Sequence, residues 1–189
     1  MAATTPLSRL TRDELPQQFT VAWHTLNELT EQPTFVEVFA QAPHLLNFVM
    51  GDFYQKLFFE GQVAERYKQL GRLRLSVLHG CLTCNKQNVP GAKQAGFSDD
   101  QIAAIVDPGQ GAGASPLSEA DLAVLALADE IALTNPAGNL SETLHKSLSA
   151  HFSDAEICEL GVVMGVISGL AKMSFVFNVV DREDYCPFQ

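Results

Sequence analysis

Basic residues are scarce in this chain. Twelve Lys and Arg stand against 22 Asp and Glu, giving a formal net charge of −10 and a pI near 4.8. Nucleic acids and anionic membranes are held by basic patches, so neither is expected as a partner. The acidity reads as solubility. Strand signals are missing too: no stretch sustains period-two alternation of β-branched residues, and no Asn-Gly hairpin turn occurs. Cysteine is limited to Cys81, Cys84, Cys158 and Cys186. One close pair and two scattered residues do not make a secreted disulfide framework. Residues 1–6 lack the charged start and apolar run of a signal peptide. The expectation is a cytoplasmic protein whose close cysteine pair is chemical rather than structural.

What is present is helical almost throughout. A length of 189 residues fits one domain with an ample core. Between Asp13 and Leu29, apolar residues recur at Leu15, Phe19, Ala22, Trp23, Leu26 and Leu29, the steps of one helix face. Pro33 separates this from a short helix over Phe35 to Gln41. Leu45 to Phe59 follows, with Leu45, Phe48, Val49, Phe53 and Leu57 expected inward. Val63 to Leu78 carries Glu65, Gln69, Arg72 and Ser76 along one side. Leu82 to Ala95 contains Pro90, which predicts a kink or an early stop, and Gly96 reads as its C-cap.

Ser98 to Gln101 caps a further short helix. The glycine-rich run 108–116 has no strand before it and no Gly-Lys-Ser/Thr after it, so it reads as an internal linker, not a phosphate loop. Ser118 to Leu133 places Leu122, Leu125, Ala126 and Ile131 toward a core, and Ser141 to His151 is short and amphipathic. Ser153 to Val180 is long and apolar enough to span a bilayer. Lys172 within it, and Gly161, Gly165 and Gly169 at four-residue spacing, favour a buried core or interface helix instead. Cys158 is expected on its buried face, and the position of Cys186 in the tail is open.

The stretch that organises the chain is Gly71 to Asn88. It ends one helix, breaks at Gly80, and opens a second on Cys81-Leu82-Thr83-Cys84. A helix N-terminus stabilises a thiolate, and thiols at this spacing can close into a disulfide. Arg72-Leu73-Arg74-Leu75-Ser76, then Gly80-Cys81-x-x-Cys84, then Gly96-Phe97-Ser98 resembles the alkylhydroperoxidase D and carboxymuconolactone decarboxylase family. The segment from Leu15 to Phe58 and the ending Asp184-Tyr185-Cys186-Pro187-Phe188 resemble a longer branch of it. The resemblance implies an all-α, multi-helical domain with the Cys-x-x-Cys at a helix N-terminus, assembled as a dimer, trimer or hexamer. It implies Cys84 as the cysteine that attacks a hydroperoxide and Cys81 as the one that resolves the sulfenic acid.

Two positions depart from the family pattern. The family histidine four residues after the second cysteine is Asn88 here, and the family glutamate twelve residues before the first is Gln69. Amides cannot carry a proton at neutral pH. Nearby substitutes are Glu65, one turn before Gln69, and His79, which ordinarily titrates near neutrality. For His79 the plainer reading is a helix-end histidine bonding a carbonyl; for Glu65, a solvated surface residue. Arg72 or Arg74 could stabilise a thiolate.

The expected activity is a cysteine-dependent hydroperoxide reductase or thiol–disulfide oxidoreductase. It needs a small-molecule substrate, a thiol or dithiol reductant, and no cofactor or metal. Zinc on Cys81, Cys84 and His79 lacks an evident fourth ligand. The alternative is a non-catalytic oligomer that senses oxidants or binds a small molecule. Lactone decarboxylation follows only from the family's second name.

Overall fold

The computed structural model describes residues 4–109 and 115–188. Most of the glycine-rich linker, 110–114, lies outside the described residues. Among those described, regular structure is helical, and extended backbone pairs only at one isolated antiparallel bridge, Cys81 with Arg182.

The first expected helix is divided by Pro16. Arg12–Glu14 and Gln17–Phe19 are single 3-10 turns, and α1 begins only at Thr20 and runs over Thr20–Thr30. Proline has no N–H for a helix and keeps the residue before it extended. Leu29, expected inward, is exposed. α2 is Thr34–Phe39 and α3 is Pro43–Asn47, with Pro43 in its first turn. Leu15, Phe19, Val36, Ala40 and Leu46 form a small core of their own.

α3 passes straight into a π-helical run, Phe48–Phe59. Its hydrogen bonds reach five residues back, as in Glu60 N–H to Gln55 O at 3.1 Å. The wider coil re-phases the apolar pattern. Leu45 and Phe48, expected inward, are exposed, and Leu57 is half-buried. The buried positions are Leu46, Val49, Phe53 and Phe58, the last two being five residues apart.

α4 (Glu65–Leu78) is the central helix. It packs on α5 (Leu82–Gln94), α7 (Glu119–Ile131) and α9 (Asp154–Val176). Two buried ion pairs fix its first turns: Lys68 to Glu159 on α9 at 2.7 Å, and Arg66 to Asp121 on α7 at 2.9 Å. α5 continues through Pro90 to Gln94, so the early stop does not occur. It ends where expected: Gly96 adopts φ 91°, and Phe97 N–H bonds Ala92 O while Gly96 N–H bonds Lys93 O. α6 is Asp99–Val106 and α8 is Glu142–Ser149; Ser98, Ser118, Ser141 and Ser153 each cap a helix.

On α7 the inward residues are Ala120, Ala123, Val124, Leu125, Leu127 and Ala128; Leu122 and Ala126, expected inward, point out. α9 stops at Val176, shorter than expected, and is the one element among the described residues long and apolar enough to cross a membrane. It packs as a core helix through Leu160, Val163, Met164 and Ile167. Its opposite side is open. A Cβ at Gly161, Gly165 or Gly169 would meet nothing within 4 Å, so the glycine row takes no neighbouring helix among the described residues. Cys158 lies on that side and is exposed, not buried.

Candidate functional site

The cysteine pair is placed by a helix end. α4 closes with Gly80 in the left-handed region at φ 64°. Gly80 N–H bonds Val77 O at 3.0 Å and Cys81 N–H bonds Ser76 O at 3.1 Å, the two bonds of a Schellman turn. Cys81 is then the N-cap of α5, its sulfur accepting from Cys84 N–H at 3.2 Å. One residue therefore finishes one helix and starts the next. Cys81 and Cys84 are joined as a disulfide. Cys81 is wholly buried, whereas Cys84 is partly exposed.

The chain beyond α9 does not trail away as a tail. Asn178 turns it back at φ 50°, and residues 181–186 lie along the start of α5. Glu183 N–H bonds Gly80 O at 2.9 Å, Asp181 N–H bonds Thr83 Oγ1 at 2.8 Å, and Asn85 Nδ2 bonds Glu183 Oε1 at 3.0 Å. Cys81, Phe175, Val180 and Cys186 form one buried cluster, with Cys84 and Phe188 against it. The Cys186 thiol is buried and donates to His79 O at 3.2 Å.

Both cysteines line a cavity of about 630 Å³. Its far wall comes from α1, α2 and the π-helical run, through Leu26, Phe35, Val49 and Tyr54, and its near wall includes Ile167 and Leu170 of α9. The polar lining near the sulfurs includes Arg72, Ser76, His79, Gln87 and Asn88. The cavity is thus mainly apolar, with polar groups beside the cysteines and a few, such as Thr25 and Gln55, on the opposite wall.

His79 is buried there as a neutral ring. Burial pushes its pKa down from 6.5 to about 4. The residue does not titrate near neutrality, and it does not bond a carbonyl. Its Nε2 accepts from Leu133 N–H at 3.0 Å, so the ring proton sits on Nδ1, which meets no acceptor among the described residues.

Gln69 and Asn88 are also buried. Gln69 donates to Glu65 Oε1 at 3.0 Å, and Asn88 donates to Arg72 O at 3.2 Å. Those bonds assign the amide nitrogens and leave both oxygens, Gln69 Oε1 and Asn88 Oδ1, without a donor. Glu65 is exposed in the first turn of α4 and reaches the site only through Gln69. Arg72 lines the cavity, its guanidinium 5.2 Å from the centre of the Tyr54 ring. Arg74 does not: it pairs with Asp129 at 2.6 Å and donates to the Ile105 and Val106 carbonyls.

Residues 44–130, which span the π-helical run, α4 and the cysteine helix, match the model of the carboxymuconolactone decarboxylase family. The match covers a little under half of the chain. No curated protein matches it in sequence. Solved structures that share the fold include these three. A protein of unknown function from Agrobacterium tumefaciens, bearing the name of the antioxidant defence protein AhpD, is 24% identical. It matches with a TM-score of 0.62 over 74% of this chain and 91% of its own. A cysteine-to-alanine variant of the debrominase Bmp8, in complex with 2,3,4-tribromopyrrole, is 14% identical, with a TM-score of 0.73 over 97% and 95%. The alkylhydroperoxidase AhpD core of a peroxidase-related protein from Ralstonia eutropha is 10% identical, with a TM-score of 0.69 over 95% and 93%. The all-α fold with its cysteine pair at a helix start is that of AhpD-like proteins.

Sequence reasoning did not find the returning chain or the aromatic wall. Gly80 was the available signal for the first, since a positive φ at a helix end marks a packed reversal. For the second, Tyr54 and Phe35 follow no 3.6-residue repeat.

Proposed function

We propose that the protein is a dithiol oxidoreductase that reduces bulky organic hydroperoxides. The observation that carries this reading is the pair itself: a partly exposed Cys84 and a buried Cys81, at a helix N-terminus, opening onto an apolar cavity. With the pair reduced, the Cys84 thiolate attacks the terminal peroxide oxygen. The O–O bond breaks, Cys84 becomes a sulfenic acid, and the alkoxide leaves. The Cys81 thiol then condenses with it, forming the disulfide and releasing water. A thiol or dithiol reductant restores the pair by exchange.

Gln69 and Asn88 have no proton to give the leaving alkoxide. It takes one from water, while the Arg72 guanidinium and the His79 N–H stabilise its charge as fixed donors. The mainly apolar wall suits an alkyl or aryl substituent better than hydrogen peroxide. A second reading, binding of a small molecule without turnover, draws on Asn88 Oδ1, an unpaired amide oxygen of a cavity-lining residue, which accepts from a ligand N–H or O–H.

The test is a free-thiol count on reduced protein, before and after one equivalent of cumene hydroperoxide, with Cys84→Ser alongside. Rapid loss of two thiols in the native protein, slower loss with hydrogen peroxide, and no rapid loss in the variant are expected. Slow loss that the variant shares overturns the reading. If cumyl alcohol, the reduced form of the probe, nevertheless binds, the second reading stands.

A further inference from the structure

The site contains a third thiol that the two-cysteine cycle does not use. Cys186 belongs to the same buried cluster as Cys81, and its thiol already donates to the carbonyl two residues before Cys81. The backbones run side by side: Cys81 pairs with Arg182, and Glu183 N–H bonds Gly80 O. A Cβ built on Gly80 would stand 2.5 Å from Cys186 Cα. That places the Gly80 and Cys186 Cα atoms within about 4 Å, and Cys81 Cα follows Gly80 by about 3.8 Å. The Cys81–Cys186 separation is thereby bounded at roughly 8 Å, and disulfides form at Cα separations of about 4.4–6.8 Å, inside that bound.

We propose that Cys186 is a redox thiol of this site, exchanging with the oxidised pair. The Cys186 thiolate attacks Cys81 Sγ. The Cys81–Cys84 bond breaks, a Cys81–Cys186 bond forms, and Cys84 leaves as a thiolate that takes up the proton Cys186 released. One disulfide replaces another, so no electrons enter or leave and no co-reactant is needed. The exchange moves the oxidised bond into the buried cluster and frees Cys84 at the cavity wall, where it can attack a second substrate before reductant arrives. It requires only the Cys81–Cys84 disulfide present in the structure, whatever the substrate.

The chain carries its own mapping sites. Trypsin cuts after Arg74, Lys86 and Arg182, so Cys81 and Cys84 lie on peptide 75–86 and Cys186 on peptide 183–189. Oxidised native protein is alkylated, digested without reductant and analysed by mass spectrometry. Linked 75–86 and 183–189, with Cys84 alkylated, is expected in a fraction of molecules and is lost in Cys186→Ser. Cys84→Ser, oxidised with diamide, is expected to convert to the Cys81–Cys186 form, and Cys158→Ser to leave the linkage unchanged. The proposal is overturned if native protein yields only the Cys81–Cys84 bond at every glutathione ratio. It is also overturned if folded Cys84→Ser, by its native circular dichroism, leaves Cys186 alkylatable.

Discussion

Gly80 and Cys186 touch backbone to backbone. A β-carbon at position 80 would stand 2.5 Å from Cys186 Cα and 2.8 Å from its Cβ. Gly80 also holds φ 64°, where a side chain costs about 1–2 kcal/mol before any clash. Gly80→Ala is expected to destabilise the fold by about 2 kcal/mol or more and to push residues 181–186 off α5. Urea denaturation gives the first quantity. Faster alkylation of Cys186 in the native state reports the second; protection equal to that of the parent protein would contradict the packing described.

His79 makes stability depend on acid. Its folded pKa is about 4 and its ordinary value 6.5. The unfolded chain therefore binds this proton first as pH falls. The stabilisation is fully present above 6.5, is lost progressively down to about 4, and is constant below. The whole change is about 3 kcal/mol. His79→Gln keeps an acceptor for Leu133 N–H but cannot be charged. Denaturation midpoints between pH 7 and 4 should fall less steeply in that variant than in the parent; parallel curves would remove His79 as the cause.

Under the proposed function, proton delivery at Gln69 and Asn88 limits the rate of hydroperoxide reduction. Gln69→Glu and Asn88→His together place an acid and a base at two buried positions. A positioned acid contributes on the order of a hundredfold or more, and the double variant is expected to gain at least about tenfold in alkoxide release. Each single change should give little, since one member alone has no partner. Stopped-flow oxidation of the reduced pair measures it, and an unchanged rate would show that proton delivery does not limit the reaction.

The sequence showed the cysteine helix, its start at Cys81 and its end at Gly96, because caps and glycine turns are local signals. The π-helical run escaped it. Phe53 and Phe58 are five apart, and a helical template assigns Leu57 in place of Phe58. Cys158 was misplaced because α9 is apolar on every side, so periodicity cannot say which side meets the protein. His79 keeps its ordinary pKa in any sequence reading; only its burial, and the distant Leu133 N–H, make it neutral. Cys186 lies 107 residues from its acceptor, and nothing local announces that contact.

That same separation has a consequence in time. A ribosome adding about 5–20 residues per second makes Cys81 and Cys84 roughly 5–20 s before it makes Cys186. Throughout that interval the nascent chain holds Cys81 and Cys84 without the segment that covers them. The pair is therefore open to exchange while the polypeptide is still being made, and residues 181–188 decide when that access narrows.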